Sequence, residues 1–289
     1  EYDFTGDGQM PEVHEEGDIY RSLGLLFIPP ELRENRGEIE ASDQGKLPDL
    51  IKKENLRGTF HNHTTASDGN NSLLEMAEAA HDLGLEYLGI ADHSKASFQA
   101  NGLNELRLRE QISEIRALNE QFDDFALIAG SEVDILKDGS LDFDDDLLQE
   151  LDYCVASVHN SFTLDEDTMT KRIIRAMENE HVTMLGHVTG RLLLKRDPYA
   201  VNIEKIIACA SETRTVIELN CSPYRLDMDW RWWKKAREKN VLCSINPDAH
   251  RIEQLQSLSY GVRLARKGWL RRNDVLNTKS LKEVQAWLA

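Results

Sequence analysis

The chain has 289 residues, 40% of them hydrophobic and 29% charged, a balance that excludes a wholly disordered protein and provides enough length for a buried core. No apolar run approaches the roughly 18–20 residues that a membrane-spanning helix needs, and no basic, apolar leader is present. The net charge of −17 argues against a nonspecific polyanion binder, so a polyanionic substrate would need bound metal or a local basic patch.

The first 50 residues form an acidic segment with 13 acidic and 4 basic side chains, interrupted by glycine and proline. We expect an appendage here, with a short helix within Glu15–Leu26. The chain starts at Glu1, so we expect a fragment or derivative of a longer protein. The four cysteines form no C-x-x-C pair, which predicts buried free thiols, a reducing compartment and a cytoplasmic location: Cys154, Cys209, Cys221 and Cys243.

From Leu56 onward, short apolar runs alternate with amphipathic stretches of helical length. The predicted strands are Arg57–His63, Tyr87–Asp92, Phe125–Val133, Tyr153–His159, Thr183–Val188, Val216–Cys221 and Leu242–Pro247. The predicted helices are Ser72–Leu83, which opens with a Ser72/Glu75 capping box, Leu103–Gln121, Asp165–Asn179, Asn202–Ser211 and Asp229–Lys239. Strands separated by helices pair in parallel, so the pattern predicts an α/β fold, either a barrel or a doubly wound sheet.

Six of the nine histidines follow the carboxyl ends of predicted strands, where parallel α/β folds carry their active sites. They are His61, His63, His93, His159, His187 and His250, and three carboxylates join them, Asp68, Glu132 and Asp248. An extended chain turns residues two apart to the same side, so His61 with His63 and Asp248 with His250 could each grip metal.

Without metal, so many polar groups on one rim would be costly, and imidazole with carboxylate suits zinc, manganese or iron. We therefore predict a metal site. His14, His81 and His181 lie elsewhere and are interpreted as non-ligands. Asp92, next to His93, either orients a ligand or caps its strand.

The motifs at these positions resemble, in order, those of the polymerase and histidinol phosphatase (PHP) superfamily. They are His-Asn-His-Thr with Ser-Asp-Gly (61–69), Ala-Asp-His-Ser (91–94), Gly-Ser-Glu-Val (130–133), Ser-Val-His (157–159), Gly-His (186–187) and Asn-Pro-Asp-Ala-His (246–250). Stretches 186–193, 218–227 and 265–270 resemble the C-terminal PHP domain of family X DNA polymerases, and 23–34 resembles the end of the polymerase thumb. No polymerase palm with paired aspartates is present.

This resemblance implies a distorted seven-stranded (β/α)7 barrel over residues 56–289, with residues 1–55 as an acidic appendage or linker. It also implies three divalent ions, manganese and/or zinc, with iron as a further option. One ion would bind His61, His63, Glu132 and Asp248. A second would share Glu132 and add His159 and His187. The third would bind Asp68, His93 and His250, and Asp68 stands where some relatives have histidine.

The resemblance further implies a phosphoesterase acting on DNA 3′ ends or abasic sites in DNA repair. The expected activity is that of a 3′→5′ exonuclease, with 3′-phosphatase and abasic-site endonuclease activity as companions and a polymerase domain outside this chain as partner. The catalytic set would be His61, His63, Glu132, Asp248 and Arg191.

Arg191 and Arg225 follow the fifth and sixth strands, so we expect them on the same rim. Either guanidinium could bind phosphate or form a surface salt bridge. Trp230, Trp232 and Trp233 could stack on single-stranded DNA or pack in the core.

Two other functions remain open. A small-molecule phosphomonoesterase of the histidinol-phosphatase type would use nearly the same metal site. A non-catalytic domain that stabilises a polymerase is disfavoured because no ligand position is lost.

Overall fold

The computed structural model describes residues 12–289, and the chain divides after Asp49 into two compact units. The part of the predicted appendage within residues 1–11 lies outside the described residues. The N-terminal unit contains helices α1 (Glu16–Ser22) and α2 (Glu38–Asp43) and a 3-10 turn, Pro30–Leu32. Helix α1 lies within the predicted stretch and ends before Gly24, whose φ of 75° is the left-handed conformation typical of helix ends. The functional division into residues 1–55 and 56–289 stays a prediction.

The second unit contains seven parallel strands, each paired with the next in chain order. The seven predicted strands are therefore confirmed, with ends shifted by a few residues. Their bounds are β1 (Gly58–Asn62), β2 (Tyr87–Ile90), β3 (Ala126–Asp134), β4 (Tyr153–Ser157), β5 (Met184–Leu185), β6 (Val216–Asn220) and β7 (Cys243–Asn246).

The first and last strands approach each other and nearly close the sheet into a barrel. Thr59 Oγ1 donates a 3.2 Å hydrogen bond to the Ile245 carbonyl. Just beyond the strands, the His63 amide donates a 2.8 Å bond to the Ala249 carbonyl. The barrel interpretation is confirmed and the doubly wound sheet is wrong, because a doubly wound sheet leaves two unpaired edges.

Helices lie between consecutive strands, as parallel pairing requires. They are α3 (Leu73–Asp82), α4 (Glu105–Asn119), α5 (Asp145–Leu148), α6 (Glu166–Met177), α7 (Ile203–Thr213) and α8 (Trp233–Glu238), and two further helices, α9 (Leu258–Lys267) and α10 (Leu281–Leu288), follow β7. The predicted capping box is confirmed, since the Ser72 amide donates to Glu75 Oε2 at 2.7 Å and Ser72 Oγ accepts from the Glu75 amide. The predicted helix Asp229–Lys239 instead begins with a 3-10 turn, Trp230–Trp232.

Apolar side chains fill the space between strands and helices and also the barrel interior. Inside the barrel, Phe60 packs edge-on against Tyr153, with ring centroids 5.0 Å apart. The four cysteines are buried and unpaired, as predicted, and burial raises the pKa of Cys154 to about 12. Among the described residues, no helix combines the length and the apolar character needed to cross a membrane.

Candidate metal centre

The nine predicted ligand residues converge at the carboxyl ends of the strands. They form four overlapping groups, and within each group one ligand-type nitrogen or oxygen atom from every residue lies within 4.8 Å of the others. The groups are His63, Asp68, His93 and His250; His61, His187 and Asp248; His61, His63 and Glu132; and His93, Glu132 and His159. None of them includes His14, His81 or His181.

Glu132 lies at the middle of the cluster. Its Oε1 atom is 3.2 Å from His61 Nε2, 3.1 Å from His159 Nε2 and 2.9 Å from His187 Nε2. Its Oε2 atom is 2.8 Å from His93 Nδ1. His63 Nε2 lies 3.8 Å from Oε2 as well, so a single buried carboxylate faces five imidazoles, an arrangement suited to holding more than one cation.

The other two carboxylates flank this core on the side of His250. Asp248 Oδ1 lies 3.2 Å from His63 Nε2 and 3.7 Å from His61 Nε2. Asp68 Oδ1 lies 3.3 Å from His250 Nε2 and 3.6 Å from His93 Nε2. Two ligands that are each about 2.1 Å from a tetrahedral ion stand roughly 3.4 Å apart, so these separations match shared coordination.

Several buried polar atoms of the cluster make no hydrogen bond, and this tests whether cations fit. The atoms are His61 Nε2, both ring nitrogens of His63, His93 Nδ1, His187 Nδ1 and Glu132 Oε2. A buried polar atom without a partner costs about 1–3 kcal/mol. Imidazole nitrogens and carboxylate oxygens are ordinary ligands of zinc and related transition metals, so the residues present fit divalent cations.

Without a cation, the charges of the cluster balance one another. Burial disfavours the charged form of Glu132, but His159, His61 and His93 hold the pKa of this carboxyl well below its usual range. Burial likewise opposes protonation of His159, yet Glu132 and Asp134 raise its pKa to about 10. Bound cations would take over this compensation, and their binding would release protons.

The backbone at two of the candidate ligands is left-handed, with φ of 58° at His61 and 52° at Asp248. The register of β1 against β2 also shifts between Thr59 and Asn62. The paired ligands do converge, but the chain is not extended at these positions. The predicted reason for their convergence is therefore wrong. Convergence comes instead from local bends, which are costly for residues other than glycine and typical of functional sites.

Two buried carboxylates that the sequence analysis missed orient histidines from behind. Glu218 Oε2 accepts from His61 Nδ1 at 2.5 Å, and Asp134 Oδ1 is 3.2 Å from His159 Nδ1. Such contacts fix the tautomer and direction of a ligand imidazole. A charged residue inside the apolar strand β6 was the available signal for Glu218, because buried charges are rare without a partner. Asp134 lies two residues after Glu132, on the same strand.

Asp92 caps the loop after β1 rather than orienting a ligand. Its carboxylate accepts hydrogen bonds from the Thr64 amide at 2.8 Å and the Thr64 hydroxyl at 2.6 Å, and it also accepts from Ser67 and Gln111. Of the two interpretations of Asp92, the strand-end cap is therefore the one that its contacts support.

The two predicted arginines differ in what they contact. Arg225 Nε lies 3.2 Å from Asp248 Oδ2, and its buried Nη1 makes no hydrogen bond. Arg191 donates to the Arg225 carbonyl at 2.8 Å, to Asp229 Oδ2 at 3.2 Å and to the Leu226 carbonyl. Arg225 thus faces the cluster, while the hydrogen bonds of Arg191 support the loop that carries Arg225. These contacts do not favour direct phosphate binding by Arg191.

The tryptophans after β6 are mainly core residues. Trp233 is completely buried, and Trp230 and Trp232 pack partly buried against the core. Lys267 Nζ lies 4.5 Å from the centroid of the Trp230 ring. The structure therefore favours the core interpretation of these residues over nucleic-acid stacking.

A family model described as "PHP domain" matches residues 59–222. The chain is 43% identical over 281 residues to the DNA polymerase/3′-5′ exonuclease PolX of Bacillus subtilis (strain 168), an alignment that covers 97% of this chain and 49% of that protein. The chain thus spans about half the length of this relative. It is 27% identical over 229 residues to a protein named probable phosphatase in Thermoanaerobacter sp. (strain X514), covering 75% of this chain and 89% of that protein.

A solved structure with a similar fold is the histidinol phosphate phosphatase from Lactococcus lactis subsp. lactis Il1403, complexed with zinc, L-histidinol and phosphate. The TM-score is 0.53 at 15% sequence identity, over 73% of this chain and 93% of that chain. At this identity the likeness concerns the fold alone.

Proposed function

The chain belongs to the PHP domain family, and from this premise we propose that it is a metal-dependent phosphoesterase that hydrolyses DNA phosphodiesters. Its main activity would be that of a 3′→5′ exonuclease, with removal of 3′-phosphates and cleavage at abasic sites as related reactions in DNA repair. DNA 3′ ends or abasic sites would be its substrates, and a polymerase domain outside this chain its partner in a cytoplasmic setting.

The observation that carries the proposal is the cluster around Glu132, where three His Nε2 atoms lie within 3.2 Å of one carboxylate oxygen while other buried nitrogens lack hydrogen bonds. The 43% identity to a polymerase and 3′-5′ exonuclease favours DNA as the substrate. We propose three divalent ions, manganese and/or zinc, in the three ligand sets that the family resemblance implies.

Divalent cations, when bound, supply Lewis-acid stabilisation of phosphate oxygens and activate water for in-line displacement. The residues of the chain hold and orient the side chains that would bind these cations. Glu218 and Asp134 face the Nδ1 atoms of His61 and His159. These contacts favour the tautomer that is protonated at Nδ1, and they leave Nε2 directed to the centre. Asn220 Nδ2 donates a 3.1 Å hydrogen bond to Asp248 Oδ2, which leaves Asp248 Oδ1 facing the histidines.

Arg225 is the group that we assign to the substrate phosphate. Its side chain is 17% exposed, and its buried Nη1 has no hydrogen bond, a donor that a nonbridging phosphate oxygen could satisfy. Arg191 acts as a positioning residue in this scheme, because it donates to the carbonyls of Arg225 and Leu226. Cations and Arg225 together would make the centre locally positive despite the net charge of −17.

The alternative is a small-molecule phosphomonoesterase. The likeness to a protein named probable phosphatase and the acidic chain favour this alternative. Both reactions use the same metal chemistry, so the substrate distinguishes them.

A labelled oligonucleotide assay tests the proposal. The chain is incubated with manganese, zinc or magnesium and with single-stranded or 3′-recessed DNA labelled at the 5′ end, next to a mononucleotide ester. We expect stepwise shortening from the 3′ end in manganese. Hydrolysis of the mononucleotide ester without any shortening of DNA would establish the alternative. Elemental analysis of the purified chain measures the number and kind of ions.

A further inference from the structure

A groove with a volume of about 510 Å³ lies at the carboxyl ends of β6 and β7. Its walls are the loop after β6, at Pro223 and Tyr224, and the segment between Arg251 and Tyr260. Ligand sites typically measure about 300–1,000 Å³. Tyr224 and Tyr260 both line it and are 58% and 47% exposed, so we call it the tyrosine groove.

The tyrosine groove adjoins the metal centre through two of its wall residues. Tyr224 precedes Arg225, whose Nε is 3.2 Å from Asp248 Oδ2. Gln254 Oε1 accepts a 2.7 Å hydrogen bond from the backbone amide of His250. The groove therefore lies beside the centre, on the side of Arg225 and His250.

The side chains of the groove suit flat aromatic groups better than phosphate. Exposed tyrosine rings present large, rigid surfaces on which nucleobases stack. Lys195 Nζ lies 5.6 Å from the centroid of the Tyr224 ring, and Arg251 adds a second positive charge. The carboxylate of Glu253 also lines the groove and would repel a phosphate there. The groove therefore favours the uncharged part of a nucleotide, with positive charge beside it for the backbone.

We propose that the tyrosine groove binds unpaired nucleobases of the substrate strand, stacked on Tyr224 and Tyr260, while the adjoining phosphodiester lies at the metal centre. This inference rests on the proposed DNA phosphoesterase function and deepens it, because it makes single-stranded DNA the form that is bound. It also assigns to two tyrosines the stacking role that the sequence analysis considered for the tryptophans.

Binding of a single-stranded thymidine oligomer with phosphorothioate linkages tests the groove separately from cleavage. Fluorescence anisotropy is recorded for the full chain and for Tyr224→Ala, Tyr260→Ala and the double variant. Stacking contributes about 1–3 kcal/mol per base, so each single loss should weaken binding roughly 5- to 150-fold. A strand of the same backbone without bases should bind the unchanged protein and the alanine variants equally, because no base remains to stack.

Two further variants show whether the ring itself is responsible. Tyr260→Phe retains the aromatic ring and should bind the thymidine oligomer as the unchanged protein does. Leu83→Ala removes a side chain that is 49% exposed at the end of α3, the end that leads into β2 and is opposite to the metal centre, and should leave binding unchanged. Thermal unfolding of every variant verifies that it folds.

The groove and the proposed function can fail independently. Equal binding of the thymidine oligomer by the unchanged protein and the double alanine variant would contradict base binding in the tyrosine groove, even if DNA is cleaved in manganese. A binding difference without any cleavage of an ordinary DNA strand would support the groove and contradict the nuclease. Absence of binding by the unchanged protein would overturn the groove as well.

Discussion

Glu218 Oε2 and His61 Nδ1 are 2.5 Å apart, and neither side chain is exposed. Glu218 also accepts hydrogen bonds from the His187 amide at 3.0 Å and from Asn246 Nδ2 at 2.9 Å. Glu218 lies on β6, so its carboxylate links a candidate ligand on β1 to β6 and to β7, the strand that approaches β1 where the barrel closes. His61 Nε2 is left facing Glu132, without a hydrogen bond of its own.

Replacing Glu218 with glutamine should weaken metal binding by roughly 10- to 100-fold, because loss of a carboxylate partner lowers the basicity and fixed orientation of a ligand imidazole. Competition with a chromophoric chelator measures the affinity for zinc. Glu114→Gln changes an exposed glutamate on α4 and should leave it unchanged. Unaltered zinc affinity in a folded Glu218→Gln variant would show that Glu218 does not support metal binding.

Replacing His61 with alanine should abolish hydrolysis of DNA, since His61 Nε2 lies within 3.7 Å of both Glu132 and Asp248. His81→Ala provides the matched control, because His81 is an exposed helix residue 3.2 Å from Asp124. Its activity should stay at the level of the unchanged protein. The measurement is the initial rate of shortening of a labelled strand in manganese, and equal rates for both variants would defeat the site assignment.

Replacing Arg225 with alanine should lower kcat/KM for DNA by roughly 10- to 150-fold, which corresponds to a charged hydrogen bond worth about 1.5–3 kcal/mol. Metal content, measured by elemental analysis, should stay the same, because Arg225 is a cation and cannot ligate metal. A fall in metal content that accounts for the lost activity would mean that Arg225 supports Asp248 instead of binding phosphate.

Replacing Arg191 with lysine should lower both activity and stability more than a substitution on the surface does. Lysine cannot reproduce the contacts of the Arg191 guanidinium with Arg225, Leu226 and Asp229. We expect kcat/KM to fall together with a lower unfolding temperature, since the loop after β6 loses its support. Thermal unfolding and steady-state kinetics on the same preparation measure both. Lower activity with an unchanged unfolding temperature would instead favour a direct contact of Arg191 with phosphate.

Removal of metal should lower the unfolding temperature of the chain. At a free concentration of 100 times Kd, each site adds about 2.7 kcal/mol of stability. For a chain of this size, 1 kcal/mol corresponds to about 2–4 °C, so saturating one site should raise the midpoint by roughly 5–10 °C. Calorimetry with a chelator and after addition of manganese or zinc measures this shift. An unchanged midpoint would contradict cation binding by the cluster.

The sequence alone was sufficient for the order of the seven strands, for most of the helices between them and for the prediction that His61, His93 and His250 would meet. Those predictions depend on local periodicity and on one topological rule, that parallel strands end at the same edge. The seven strands were found because each is a short buried apolar run between helices. The same rule predicted that all nine ligand-type residues lie on one rim, although it contains no information about distances.

Only the tertiary structure decided which atoms face each other. Glu218 and Asp134 support histidines on other strands, and Arg191 and Arg225 have different partners although both follow a strand. These outcomes depend on loop paths, side-chain rotamers and the left-handed backbone at His61, which are set by contacts between residues far apart in the chain. The periodicity of a sequence reports local structure and carries no information about such contacts.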